Sequence, residues 1–176
     1  NNYPNSENFS WAIAGRNPEK LKKILSQIID NNSHYTGTKI PIITADSDDA
    51  VALDKLTSQT KVILTTVGPY AKFGSKLVQS CVSNGTDYCD LAGETQWIRK
   101  MIDIHQEEAE KNGSRIIHSC GFDSIPSDLG VLFMQQEALR RFQQPLNNIQ
   151  LFVKAMKGGA SGGTIASILN VKGSLD

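Results

Sequence analysis

A chain of 176 residues has the length of one domain, or of one domain with part of a second. Its 18 basic side chains balance 18 acidic ones, with 39% apolar and 20% charged residues, a composition that excludes disordered and fibrous chains. Zero formal charge without a long basic run argues against nucleic acid or an anionic membrane surface as main partner, and no apolar run approaches the roughly 18 residues of a spanning helix.

The start, Asn1-Asn2-Tyr3-Pro4-Asn5, reads as a loop arriving at a strand, with the features of neither a signal nor a transit peptide. Trp11-Ala12-Ile13-Ala14 is that strand, ending at Gly15-Arg16; Asn17 then caps a helix with Pro18 at its first position. Leu21, Ile24, Leu25, Ile28 and Ile29 recur at helical spacing until Asn31-Asn32-Ser33 stops the pattern. A second strand over residues 40–45 leads into Asp46-Ser47-Asp48-Asp49, a cap and acidic first turn for a helix carrying Val51, Leu53 and Leu56. Residues 61–66 form a third strand closed by Val67-Gly68-Pro69-Tyr70. A helix through Leu77, Val78, Cys81 and Val82 follows, with Asn84-Gly85 as its stop.

The fourth strand, residues 88–91, runs into Ala92-Gly93-Glu94, and Thr95 caps a longer helix. Ile98, Met101, Ile102, His105 and Ala109 share one face of it, which makes His105 a core histidine, and Asn112-Gly113 ends it. Residues 115–119 are a fifth strand, with His118 inside it as a structural residue. The loop Cys120-Gly121-Phe122-Asp123-Ser124-Ile125-Pro126 enters a helix bearing Leu129, Leu132, Phe133 and Leu139. A sixth strand over 149–156 gives way to the run Gly158-Gly159-Ala160-Ser161-Gly162-Gly163, read as a flexible turn.

Strands alternating with helices imply an α/β, doubly wound, Rossmann-like parallel sheet, because each right-handed crossover returns the chain to the same end. The strands lack strict polar alternation, so helices are expected on both faces. Ligands of such sheets bind beyond the carboxyl ends of the strands. Neither Gly-x-Gly-x-x-Gly nor a Walker loop occurs, so a strand, a glycine-rich turn and a helix are expected upstream of residue 1.

At those strand ends, Arg16 is the most informative residue. An acidic group at the end of the second strand of a dinucleotide fold accepts from the ribose 2′-hydroxyl, whereas an arginine favours a 2′-phosphate. Arg16 beside Gly15 and Asn17, with Lys20 one helical turn on, therefore points to NADP(H) through a forked, charge-assisted contact; an ordinary surface cation is the plainer alternative. Asp46 can accept from an adenine amino group or cap its helix. Val67, Gly68, Pro69 and Tyr70 suit a loop beneath a cofactor ribose, or a plain strand-to-helix turn.

Asp90, Glu94 and Asp123 would converge on one rim as candidate proton donors, with Tyr70 a further candidate; taken singly, Glu94 reads as first-turn charge and Asp123 as a cap for a helix starting at Ser127-Asp128. Cys81, Cys89 and Cys120 lack zinc spacing and fit small buried hydrophobes in a reducing, cytoplasmic compartment; Cys120 is the one candidate for a reactive thiol.

Four motifs then occur in order: Trp11-Ala12-Ile13-Ala14-Gly15-Arg16-Asn17-Pro18-Glu19-Lys20-Leu21; Val67-Gly68-Pro69-Tyr70 with Gly74; Tyr88-Cys89-Asp90-Leu91-Ala92-Gly93-Glu94; and Cys120-Gly121-Phe122-Asp123-Ser124-Ile125-Pro126-Ser127-Asp128-Leu129-Gly130. Together they resemble the saccharopine dehydrogenase-like oxidoreductases, a family that includes trans-acting enoyl reductases of lipid biosynthesis. The resemblance implies a Rossmann domain, a second α+β domain and a nicotinamide cofactor between them. On it, residues 1–147 are a cofactor domain lacking its first strand and glycine-rich turn, and residues 148–176 begin a substrate or dimerisation domain.

The leading expectation is an NADPH-dependent reductase of an enoyl or carbonyl lipid-type substrate, inactive as this piece alone. A non-catalytic NADP(H)-binding scaffold with the same fold is the alternative. A methyltransferase-like domain ranks last, since that class usually carries a carboxylate where Arg16 stands. An open sheet edge and exposed apolar surface also invite self-association into a homo-oligomer.

Overall fold

The computed structural model describes residues 10–31, 40–155, 157–159 and 162–172. Five parallel strands alternate with helices: β1 (Ile13–Gly15), α1 (Pro18–Asp30), β2 (Ile42–Thr44), α2 (Ala50–Thr57), β3 (Val62–Thr65), α3 (Tyr70–Phe73), α4 (Ser75–Ser83), β4 (Asp87–Asp90), α5 (Thr95–Asn112), β5 (Ile116–Ile117), α6 (Ile125–Phe142) and α7 (Gly162–Lys172). The architecture is the expected parallel α/β, Rossmann-like one. Its strands form two ladders, β1–β2 and β3–β4–β5, and no ladder joins β1 to β3 among the described residues.

The local signals act where the sequence places them. Asn17 accepts from the Lys20 amide at 2.9 Å and Pro18 opens α1. Gly113 ends α5 with φ +78°, and Gly85 follows α4 with φ +65°.

Register fixes which face is inside. Tyr88 pairs with Ile63 and Ile116, and Asp90 with Thr65, so one face of the β3–β4–β5 ladder carries Ile63, Thr65, Tyr88 and Asp90 toward the helices. There Leu53, Tyr70, Leu77, Val78, Cys81, Val82, Tyr88, Trp97, Met101 and Ala109 make one core, with α4 packed on α2 and α5.

Several expectations are corrected. The opposite face was expected to be covered, yet Val62, Leu64 and Ile117 are half or more exposed, because no described helix lies over them. Helix α6 buries only Ala138 and leaves Leu129, Leu132, Phe133 and Leu139 at least half exposed. Val51 is likewise exposed, while Leu53 and Leu56 are buried. No strand forms over residues 149–155: an extended segment needs a neighbour to satisfy its backbone, and Leu151, Phe152 and Val153 stay exposed.

Three caps also move. Asp49, not Asp46, caps α2, accepting from Val51 and Ala52 amides at 3.0 Å each, while Asp46 accepts from the Asp48 amide in its own turn. Glu94 holds the N-cap position of α5, and the Thr95 hydroxyl turns to Gln96. Helix α6 starts at Ile125 behind Ser124 and takes no cap from Asp123. The loop over residues 1–9, the Asn32-Ser33 stop, the end of the sixth strand at Met156, and Ala160 and Ser161 of the glycine run lie outside the described residues.

Candidate functional site

Parallel pairing puts the strand carboxyl ends on one side within each ladder, so the β1 and β2 exits lie together and the β3, β4 and β5 exits lie together. At the β1 exit Arg16 is exposed and makes no ion pair or hydrogen bond among the described residues. Asn17 is committed to its cap, and Lys20 is exposed one turn into α1. Past β2, Lys76 bonds the Asp48 carboxylate and carbonyl at 3.0 and 2.9 Å, beside the Asp46 turn.

The loop after β3 is held from several directions. The Val67 amide donates to the Thr65 hydroxyl at 3.2 Å, and Pro69, in a cis peptide with Gly68, is buried. A Cβ on Gly68 would lie 3.2 Å from Ser167 Oγ and 3.4 Å from the Tyr70 ring, so only glycine leaves those neighbours in place. The Tyr70 hydroxyl is buried, accepting from the Leu91 amide at 3.2 Å and facing the Thr65 carbonyl at 3.4 Å. Burial, with Asp90 and Glu94 nearby, pushes this phenol above its ordinary range.

The carboxylates expected on one rim separate into three environments. Glu94 is 3% exposed and accepts three hydrogen bonds: one oxygen from the Tyr70 amide at 2.7 Å and the Ser167 hydroxyl at 3.1 Å, the other from the Ala71 amide at 3.0 Å. It caps α3 from across the fold and meets α7. Asp90 is fully buried. Its Oδ2 accepts from Tyr88 Oη at 2.9 Å and pairs with His118 Nδ1 at 2.7 Å; its Oδ1 accepts from the amides of Ala92 and Ser119, both at 2.9 Å. Burial alone would raise Asp90, but the hydrogen bonds from His118, Ala92 and Ser119 outweigh it and hold the carboxyl below its usual range. Asp123 is exposed, and no described group bonds it.

Residues read as structural, as a strand end or as a candidate thiol border this mouth too, together with Trp97. His118 falls just past β5 and touches Trp97 edge-on at 5.1 Å; Trp97 in turn stacks on Tyr70 at 5.7 Å and donates to Ser75 Oγ at 2.9 Å. Ser119 adopts φ +61°, with its hydroxyl donating to the Ala92 carbonyl at 2.7 Å, and the Cys120 amide donates to the Asp90 carbonyl at 2.7 Å. The Cys120 thiol turns back to the Ile117 carbonyl at 3.4 Å. The available signal was parity: extending the β4–β5 register by one step sets Asp90 opposite His118. His105 is buried in α5, and that burial lowers its pKa.

These residues fit a dinucleotide bearing a 2′-phosphate: a cation unpaired among the described residues at the β1 exit, a glycine closely approached by the Ser167 and Tyr70 side chains, and an exposed carboxylate past β5. No helix among the described residues is long and apolar enough to cross a membrane.

Residues 3–117 match the saccharopine dehydrogenase NADP binding domain. A trans-acting enoyl reductase of Mycobacterium ulcerans is 37% identical over 161 residues, which cover 91% of this chain and 37% of that protein. A lipid droplet localized protein of Caenorhabditis elegans is 37% identical over 160 residues, covering 88% of this chain and 36% of the relative. The chain thus spans well under half the length of these relatives. The fold is shared with the apo saccharopine dehydrogenase (L-Glu forming) of Saccharomyces cerevisiae, at a TM-score of 0.60 and 19% identity, over 77% of this chain and 27% of that one. Arg16 and the parallel strand exits thus stand within a chain that belongs to the saccharopine dehydrogenase NADP-binding domain family.

Proposed function

We propose that this chain is the cofactor-binding part of an NADPH-dependent reductase acting on an enoyl or carbonyl group of a lipid-type substrate. The observation that carries the reading is Arg16: a guanidinium without a partner among the described residues at the end of β1, in an NADP-binding family. Arg16 holds the 2′-phosphate by a forked contact, and Lys20 adds charge one turn away. Gly15 and Asn17 shape that turn; Asp46 faces the adenine. Val67, Gly68, Pro69 and Tyr70 bound the ribose of the nicotinamide half. Bound there, the nicotinamide supplies a hydride.

The remaining requirement is a proton for the reduced carbon or oxygen. Asp123 is the carboxyl group left open to a ligand, since Asp90 and Glu94 are consumed by hydrogen bonds within the fold and the Tyr70 hydroxyl faces inward. Asp123 is accordingly the assigned donor, and Asp90, Glu94 and Tyr70 shape the site around it. Residues from 148 onward begin the substrate-binding domain. The lipid-type substrate rests on the enoyl reductase and lipid-droplet relatives.

The test is a fluorescence titration of the full-length protein with NADPH and NADH. NADPH should bind more tightly, and Arg16→Ala should weaken NADPH by about ten- to a hundredfold, the worth of one charge-assisted contact, while leaving NADH within about twofold. Equal affinity for the two nucleotides in the unaltered protein overturns the role of Arg16. A non-catalytic scaffold of the same fold would bind NADPH without oxidising it in the presence of any enoyl or carbonyl lipid.

A further inference from the structure

We propose that Asp90 and His118 form a positioning pair that fixes the turn after β5 beneath the nicotinamide half of the cofactor; this rests on the NADP(H) reading above. The pair is closed to water: Asp90 is fully buried and the His118 side chain is 7% exposed. Asp90 accepts four hydrogen bonds, the most a carboxylate's lone pairs readily take. Two of them come from residues 118 and 119, and the Asp90 carbonyl takes a further amide from Cys120. Three successive residues leaving β5 are thereby bolted to one residue at the end of β4. Ser119 sits in the left-handed region at φ +61°, a conformation a serine adopts only where its surroundings over-determine it, and here its amide and hydroxyl are both engaged.

His118 has a cost that this role explains. Its Nδ1 must carry the proton to donate to the Asp90 carboxylate, and its Nε2 is buried with no hydrogen-bond partner among the described residues. A leucine of similar bulk would fill the space between Tyr88 and Trp97 without leaving a polar atom unpaired. What leucine cannot supply is the single directed Nδ1–H that orients Asp90 toward the amides of Ala92 and Ser119.

In a doubly wound sheet the two mononucleotide halves lie over opposite halves of the strand set. Arg16 marks the adenosine side at β1, in the β1–β2 ladder, and we place the β4 and β5 exits, in the separate β3–β4–β5 ladder, on the nicotinamide side. Damage to the pair should therefore be felt at the nicotinamide end alone.

The experiment compares NADPH with 2′-phospho-ADP-ribose, which lacks nicotinamide, on the full-length protein and its variants. Asp90→Asn and His118→Ala should weaken NADPH by about tenfold and the truncated ligand by less than about twofold. His118→Asn, whose amide nitrogen can stand near the Nδ1 position, should recover most of the NADPH affinity. Arg16→Ala gives the opposite signature, weakening both ligands alike. A second readout needs no ligand: nitrogen-15 NMR of the imidazole should find the proton on Nδ1 in the wild type. In Asp90→Asn it should move to Nε2, because the new amide, kept oriented by Ala92 and Ser119, presents N–H to Nδ1.

Equal weakening of both ligands by Asp90→Asn and His118→Ala, no weakening of either, or a wild-type proton on Nε2 alone overturns the proposal. If the wild type binds neither ligand, the cofactor reading falls and takes this one with it, a result distinct from lost selectivity.

Discussion

Asp90 and Glu94 stand four residues apart around one strand end, and their oxygens meet quite different partners. Asp90 is set by side chains and amides of β4 and the β5 exit, Glu94 by the amides that open α3 and a hydroxyl of α7. Neither full set is visible in the letters: Tyr88 and Ala92 lie two positions from Asp90, but its other partners and all those of Glu94 lie 23 to 73 positions away. What is legible locally is Asn17 before Pro18, since a cap is satisfied within its own turn. The same scale decides thiol chemistry. Cys81 is buried, and desolvation pushes its thiol up to about 12. A raised thiol favours the fold below the unfolded value near 8.5 and loses that contribution as pH climbs toward the folded value. Cys81 should thus resist a disulfide reagent at pH 8 in the native protein and react once denaturant is added. Rapid native labelling of Cys81, read by peptide mass mapping, would contradict its place in the core.

Elements through α6 follow the expected order, but their ends differ, the expected sixth strand does not form over residues 149–155, and α7 starts at Gly162 inside the glycine run read as a flexible turn. The fifth strand was expected over residues 115–119 and pairs only over Ile116–Ile117, because the chain turns at Ser119 to serve Asp90. The break between α3 and α4 was also unmarked. It falls at Gly74, whose hydrogen faces Trp97: a Cβ there would lie 2.7 Å from the indole and 2.8 Å from the Tyr70 carbonyl. Trp97 stacks on Tyr70 and borders His118, so this one missing methyl lets the aromatic cluster close. Gly74→Ala should destabilise the protein by about 1–3 kcal/mol, the usual cost of overpacking, read as a lower denaturation midpoint. An unchanged midpoint would mean that the backbone at Gly74 yields freely.

At the scale of the whole molecule, the parallel α/β class was legible because strands and helices alternate with few exceptions. Coverage was not, since the same apolar letters serve a strand face whether or not a second layer reaches it. Leu64, Cys89 and Ile117 align in register across β3, β4 and β5, and Leu64 and Ile117 are 70% and 54% exposed. A flat apolar row of this kind favours association. Sedimentation velocity on this chain should show mass rising with concentration, and Leu64→Lys should suppress the rise without altering circular dichroism. A monomer at every concentration would refute it.

The Glu94 carboxylate has a last consequence. The oxygen that receives Ser167 from α7 is the one that receives the Tyr70 amide, and its twin holds Ala71. Pulling α7 away frees electron density for the start of α3; crowding α7 closer draws it off. Helix α7 and the start of α3 are thus tied to one acid beside the proline loop.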